Sequence, residues 1–222
     1  MPHTVNCPKC LIDFDGKQFL HHQIKMLHEV GIKDIIIVTG YFGAKIRREC
    51  EQYKGIKFFH NFDFAKTGTL NSMSLATEEF DNELLVLNSD IIFTTDCLRN
   101  VIATSGNVVT MEPERWEEGA TAIQIDHRGK VTDMGFLDDN DADGLSVGIV
   151  KFTKKSMSKV IPFLRNYPRD IHCFVFTLIK HLLNEGETVK YVNCDYGTWC
   201  EIDTLEDLKL YKDVIIDLLN RK

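Results

Sequence analysis

The chain has no apolar run of membrane-spanning length, so a helical span is not expected. It has no basic block, and its formal charge is −7 over 222 residues. That balance argues against a nucleic-acid scaffold. The opening residues, Met1-Pro2-His3-Thr4-Val5-Asn6, lack the basic-then-apolar pattern of an export signal, so the expected compartment is the cytoplasm. Repeats, low-complexity tracts and linkers are also missing, which predicts one domain over residues 1–222. Seven cysteines, an odd number and scattered, point to reduced thiols. Cys7-Pro8-Lys9-Cys10 has the spacing of half a zinc site, but a structural zinc needs four ligands and no second C-x-x-C exists.

What is present is a core-forming composition: 44% of residues are hydrophobic, too many for a disordered chain. Apolar positions at helical spacing predict helices over Gln18–Val30, Phe42–Tyr53, Leu70–Phe80 and Thr94–Ala103. Between them, Asp34–Thr39, Ile56–His60 and Leu84–Leu87 read as buried strands. This alternation predicts a right-handed parallel α/β arrangement. The pattern then changes to strands at Asn107–Met111, Thr121–Asp126, Lys130–Met134 and Ser146–Phe152, with a hairpin turn at His127-Arg128-Gly129-Lys130. Helices follow over Lys154–Arg165 and Asp170–Glu185, then a strand at Thr188–Asn193 and a helix from Thr204 to about Leu219. The acidic stretch Asp138–Asp143 lacks the closing glutamate of a calcium loop and reads as a solvated turn.

Two segments carry chemistry. Leu84-Leu85-Val86-Leu87-Asn88-Ser89-Asp90 is an apolar run that stops on a carboxylate. Ligands of open α/β sheets sit at the carboxyl ends of strands, which is where Asp90 falls. Near the other end, Trp199-Cys200-Glu201-Ile202-Asp203-Thr204 sets carboxylates before a helix. If the fold brings Asp203 beside Asp90, two carboxylates about 5 Å apart repel by roughly 3 kcal/mol at an effective dielectric of 20. A divalent cation removes that cost, and magnesium on one or two carboxylates plus substrate phosphates is a common arrangement.

Taken in order, Pro8-Lys9-Cys10-Leu11, Gly16-Lys17, Gly31 to Tyr41 (GIKDIIIVTGY), Asn71-Ser72, Asn88-Ser89-Asp90 and Glu201-Ile202-Asp203-Thr204 resemble the sugar-phosphate nucleotidyltransferase superfamily. Within it the chain is most similar to the small cytidylyltransferases that activate phosphocholine or 2-aminoethylphosphonate. The resemblance implies a Rossmann-like three-layer α/β fold with a mixed, mostly parallel sheet. It implies transfer of CMP from CTP to a small phosphate or phosphonate acceptor, with Mg²⁺ as cofactor and pyrophosphate as leaving group. Lys9 would neutralise the α-phosphate, and Asp90 and Asp203 would ligate the metal. Gly40, Tyr41, Asn71, Ser72 and Asn88 would border the nucleotide. Glu201, Trp199, Tyr196 and Trp116 are candidates for the acceptor pocket, where aromatic faces attract a quaternary ammonium; Asp195 or Glu201 would pair with a primary amine. A homodimer is left open. Two alternatives remain: a sugar-1-phosphate nucleotidyltransferase using another nucleotide, or a truncated, catalytically impaired nucleotide-binding or regulatory relative.

The chain departs from the family in one respect. The family opens with a strand and a glycine-rich loop of the form L-A-A-G-x-G-x-R-L shortly before the proline–lysine, and this sequence has none. In the family that strand lies between those matching Asp34–Thr39 and Leu84–Leu87. The expectation is that these two strands each lack a partner, and that the chain as written is marginally stable and poorly active. Thr121-Ala122-Ile123 also stands where many cytidylyltransferase relatives carry a lysine.

Overall fold

A computed structural model describes residues 7–14, 16–169, 173–202 and 205–220. A 3-10 turn at Lys9–Leu11 follows Pro8, and a short hairpin comes next, β1 (Asp13–Phe14) and β2 (Lys17–Gln18). Helix α1 (Phe19–Glu29) buries Leu20, Gln23, Ile24 and Leu27, the face its spacing predicts. The chain then turns at Gly31, whose φ of 87° suits glycine alone. The alternating half comprises β3 (Ile35–Thr39), α2 (Gly43–Glu49), β4 (Ile56–His60), α3 (Thr69–Ser74), β5 (Leu84–Leu87), β6 (Ile91–Phe93) and α4 (Thr95–Ala103). The strand-rich half comprises β7 (Asn107–Pro113), β8 (Ala122–Ile125), β9 (Val131–Gly135) and β10 (Gly144–Phe152). Helices α5 (Met157–Asn166) and α6 (Val175–Asn184), strands β11 (Val189–Asn193) and β12 (Trp199–Glu201), and helices α7 (Leu205–Leu210) and α8 (Lys212–Asn220) complete the chain.

The main sheet is mixed. Strands β5, β7 and β8 each run antiparallel to β10, and β11 runs parallel to β7. Strand β9 pairs antiparallel with β8. Four strands therefore run one way, and β9 and β10 run against them. Alternate residues of one strand enter opposite cores, as the period of two requires. Leu85 and Leu87 pack with Leu20, Ile46 and Leu98 of α1, α2 and α4. Leu84 and Val86 pack with Leu70, Val160 and Leu178 of α3, α5 and α6. Helices thus cover both faces, giving three layers. A smaller cluster of Phe19, Ile92, Cys200, Ile215 and Leu218 docks α8 onto the paired strands β6 and β12.

Strands β3 and β4 form a separate parallel pair. Among the described residues, β3 pairs only with β4, and β5 pairs only with β10. Strands this apolar are normally buried on both faces. Yet all four residues of β5, and Ile36, Ile37 and Val38 of β3, are only half-buried. These partly open strands are the two expected to flank the family's first strand.

Several boundaries differ from the sequence expectation. Helix α2 starts at Gly43 because Phe42 sits in the left-handed region (φ 53°) and ends the preceding loop. The stretch from Leu70 splits into α3 and a 3-10 turn at Thr77–Glu79. The C-terminal helix breaks into α7 and α8 at Tyr211. Strands β6 and β12 are too short to carry a period and were not expected.

His22 lies on the buried face of α1, and its Nε2–H donates to the Phe93 carbonyl at 2.8 Å. Burial holds its pKa below the ordinary 6.5, and only partly does the carbonyl, which favours the charged ring, oppose this. Since the folded value is depressed, the unfolded chain binds the proton first as pH falls. The neutral ring's contribution is full above about pH 6.5 and is lost on acidification below it. We expect the melting temperature to fall more steeply between pH 7 and pH 5 for the parent than for His22→Gln. Parallel slopes would contradict this.

Candidate active site

The turn after β5 is held from three sides. Gln23 of α1 is buried, and its Nε2 donates to the carbonyls of both Asn88 and Ile91 at 2.8 Å. The Asn88 amide donates to the Gly148 carbonyl at 2.9 Å. Gly148 itself sits at φ 81°, and a Cβ there would come within 2.6 Å of the Asn88 side-chain amide. These contacts fix the loop that presents Asp90. Opposite it, the 3-10 turn delivers Lys9, whose Nζ lies 3.5 Å from Asp90 Oδ2, both side chains being partly exposed. Ion pairs this open contribute little to stability, so the pair is better understood as opposite charges facing a shared space.

Strand β12 runs antiparallel to β6 with Glu201 opposite Ile91. The Ile202 amide donates to the Asp90 carbonyl at 3.0 Å. Asp203 lies outside the described residues, one position beyond that bond. Lys9, Asp90 and Glu201 are thus gathered at the carboxyl end of β5, although Asp90 and Glu201 are far apart in the chain. Carboxylate oxygens are the hard donors magnesium takes, so Asp90 fits such an ion.

A second group forms at the ends of β3 and β4. Gly40 accommodates Phe64, since a Cβ there would meet the Phe64 side chain at 2.6 Å. The Asn61 amide donates to the Thr39 carbonyl at 2.8 Å, and Asn61 Oδ1 accepts from the Asp63 amide at 3.0 Å. That contact orients the Asn61 amide, so Asn61 Nδ2 donates to Thr67 Oγ1 at 3.1 Å and to Ser72 Oγ at 3.3 Å. Asn71 Nδ2 then donates to Asn61 Oδ1 at 3.2 Å, which leaves Asn71 Oδ1 a buried acceptor without a hydrogen bond among the described residues. Gly40, Tyr41, Asn71 and Ser72 are therefore joined through one loop. Sequence reasoning missed Asn61 and Gln23. The only signal for Gln23 was a polar residue on the apolar stripe of α1.

The aromatic candidates are placed differently. Trp199 is buried, and the Arg115 guanidinium lies 5.6 Å from its ring centroid. Arg115, also missed, donates to Glu112 Oε2 at 2.9 Å and pairs with Glu117. Trp116 Nε1 donates to the Leu137 carbonyl at 2.9 Å. Tyr196 is exposed on the turn before β12. One face of Trp199 is thus already met by a cation. Burial, reinforced by Cys7, pushes the Cys10 thiol up to about 12. It stays protonated at neutral pH and packs as a small apolar group.

Residues 4–145 match the family of MobA-like NTP transferase domains. The chain is 24% identical over 237 residues to a CTP:phosphoglutamine cytidylyltransferase of Campylobacter jejuni, covering 95% of this chain and 93% of that protein. It is 27% identical over 217 residues to a choline-phosphate cytidylyltransferase of Streptococcus pneumoniae, covering 96% and 92%. The solved structure of the CTP:phosphocholine cytidylyltransferase from Streptococcus pneumoniae superposes with a TM-score of 0.76 at 20% identity, over 96% of this chain and 92% of that one.

Proposed function

The chain belongs to the family of MobA-like NTP transferase domains, and from that premise we propose that it transfers CMP from CTP to a small phosphate or phosphonate acceptor, releasing pyrophosphate. A nucleotidyltransferase needs little covalent chemistry from its side chains. The acceptor oxygen is its own nucleophile, so the protein positions two anions and offsets the charge that builds between them. Lys9 would meet the α-phosphate. Asp90, with Asp203, would hold magnesium, which when bound supplies positive charge to the phosphate oxygens. Asn71, Ser72, Gly40, Tyr41 and Asn88 would border the nucleotide. Glu201, Tyr196, Trp199 and Trp116 would border the acceptor. The observation that supports this reading most is the Lys9–Asp90 pair with the Ile202 amide bonded to Asp90. It sets a cation and a carboxylate at the same strand end, and brings the start of the 201–204 segment to them.

Base choice supplies the test. A ligand that binds only the folded state stabilises by RT ln(1 + [L]/Kd). With magnesium, CTP is expected to raise the melting temperature more than ATP, GTP or UTP, and to release pyrophosphate with phosphocholine or aminoethylphosphonate present. Equal shifts for all four nucleotides would mean that only phosphates are read, and the cytidylyl assignment would fall. Nucleotide binding with no pyrophosphate release from any of the four would leave a non-catalytic binding role.

A further inference from the structure

Lys45 stands in the first turn of α2, a helix of seven residues. That turn holds no acidic residue. Its place is set by two tight contacts. Lys45 N–H donates to the Phe42 carbonyl at 2.9 Å, and Gly43 lies so close to β3 that a Cβ would come within 2.8 Å of Thr39 Oγ1. The Lys45 ammonium is half-buried and points at Cys7, with Nζ 3.5 Å from Sγ. A thiol is a weak acceptor and, protonated, carries no charge to offset the ammonium. The same Cys7 Sγ donates to the Leu11 carbonyl at 3.3 Å, across the turn that carries Lys9. Two ammonium groups therefore border one short segment: Lys9 on the β5 side, paired with Asp90, and Lys45 on the β3 side, with no carboxylate partner among the described residues.

We propose that Lys45 is a second phosphate-binding cation of this site, contacting the pyrophosphate half of the nucleoside triphosphate while Lys9 and Asp90 serve its α-phosphate. The proposal rests on the nucleotidyltransferase reading for the identity of the ligand. A polyphosphate laid across the carboxyl ends of β3 and β5 would meet both ammonium groups, and a lysine with no carboxylate partner among the described residues is the point charge phosphate sites use. Nothing in the interaction is covalent. Lys45 would lower the cost of gathering the β- and γ-phosphate charge, and would hold the leaving group as it separates.

The test measures binding of inorganic pyrophosphate, CTP and CMP, each with magnesium, by calorimetry. The proteins compared are the parent, Lys45→Gln, Lys45→Arg and Arg48→Gln. Arg48 is exposed on the same helix, so its loss is the control for net charge. Lys45→Gln is expected to weaken pyrophosphate and CTP binding by about tenfold or more, the usual worth of a charged hydrogen bond. CMP binding should be unchanged, Lys45→Arg should recover most of the loss, and Arg48→Gln should bind like the parent. Parent-like affinity in Lys45→Gln would overturn the proposal, as would an equal loss for CMP or an equal effect of Arg48→Gln. If Lys45 governs pyrophosphate affinity but CTP yields no pyrophosphate with any acceptor, the anion site stands and the transferase reading fails.

Discussion

Joining an apolar strand and a glycine-rich loop ahead of Met1 is expected to raise the melting temperature by on the order of 10 °C. Strands β3 and β5 feed the same two cores from separate sheets, and each has one edge with no partner strand among the described residues. Their side chains are half-buried where a central strand would bury them. A five-residue insert gains about 1.5–3 kcal/mol for each large apolar side chain it buries. Ordering its backbone costs roughly 1–2 kcal/mol per residue. For the strand alone the difference is roughly 3–5 kcal/mol, to which the further burial of β3 and β5 adds and from which the ordering of the loop subtracts. At about 2–4 °C per kcal/mol for a chain of this size, the shift is easily measured. The loop would also add backbone N–H donors for a polyphosphate, so pyrophosphate release with CTP should rise together with stability. The idea fails if the extended and parent chains melt within a degree or two of one another.

The parts of this fold that could be read from sequence are those governed by local periodicity. Helix α1 and strands β3, β4, β5 and β11 fall close to their expected ranges because each has an apolar pattern long enough to show its period. The turn that carries Asp90 was legible because a buried strand ends there. What could not be read was pairing at a distance. Strands β6 and β12 have three residues each, too few for a pattern, yet their pairing is what sets Glu201 opposite Ile91 and brings residue 202 to Asp90. Gln23 and Asn61 were invisible for a related reason. Each is a single polar residue whose purpose is to satisfy groups contributed by other segments. Arg115 was missed because its partners, Glu112 and Glu117, look like ordinary surface charge until the fold buries the first of them. The family resemblance supplied what periodicity lacked, since an ordered set of short motifs records long-range proximity that composition does not.

Asp90→Asn should remove nearly all magnesium-dependent turnover, a loss of about 10²-fold or more, and leave the fold intact. The size follows from what the carboxylate would do. It lies 3.5 Å from the Lys9 ammonium, and an amide in its place offers a metal a neutral oxygen on one side only. Losing a group aimed at the charge of a transition state typically costs 10²- to 10³-fold. Stability should barely change, because the Lys9–Asp90 pair is partly exposed and such pairs are worth at most about 1 kcal/mol. The backbone bonds that hold the turn, from Gln23 to the Asn88 and Ile91 carbonyls and from Ile202 to the Asp90 carbonyl, do not involve the substituted group. Glu201→Gln is expected to be milder and to act chiefly on the acceptor's KM. The measurement is pyrophosphate release as magnesium is titrated, on the chain preceded by the added strand and loop, beside a melting curve for each variant. An Asp90→Asn protein that keeps more than a tenth of parental turnover, with an unchanged magnesium requirement, would place the metal elsewhere. It would also leave Lys9 facing a carboxylate with no part in the reaction.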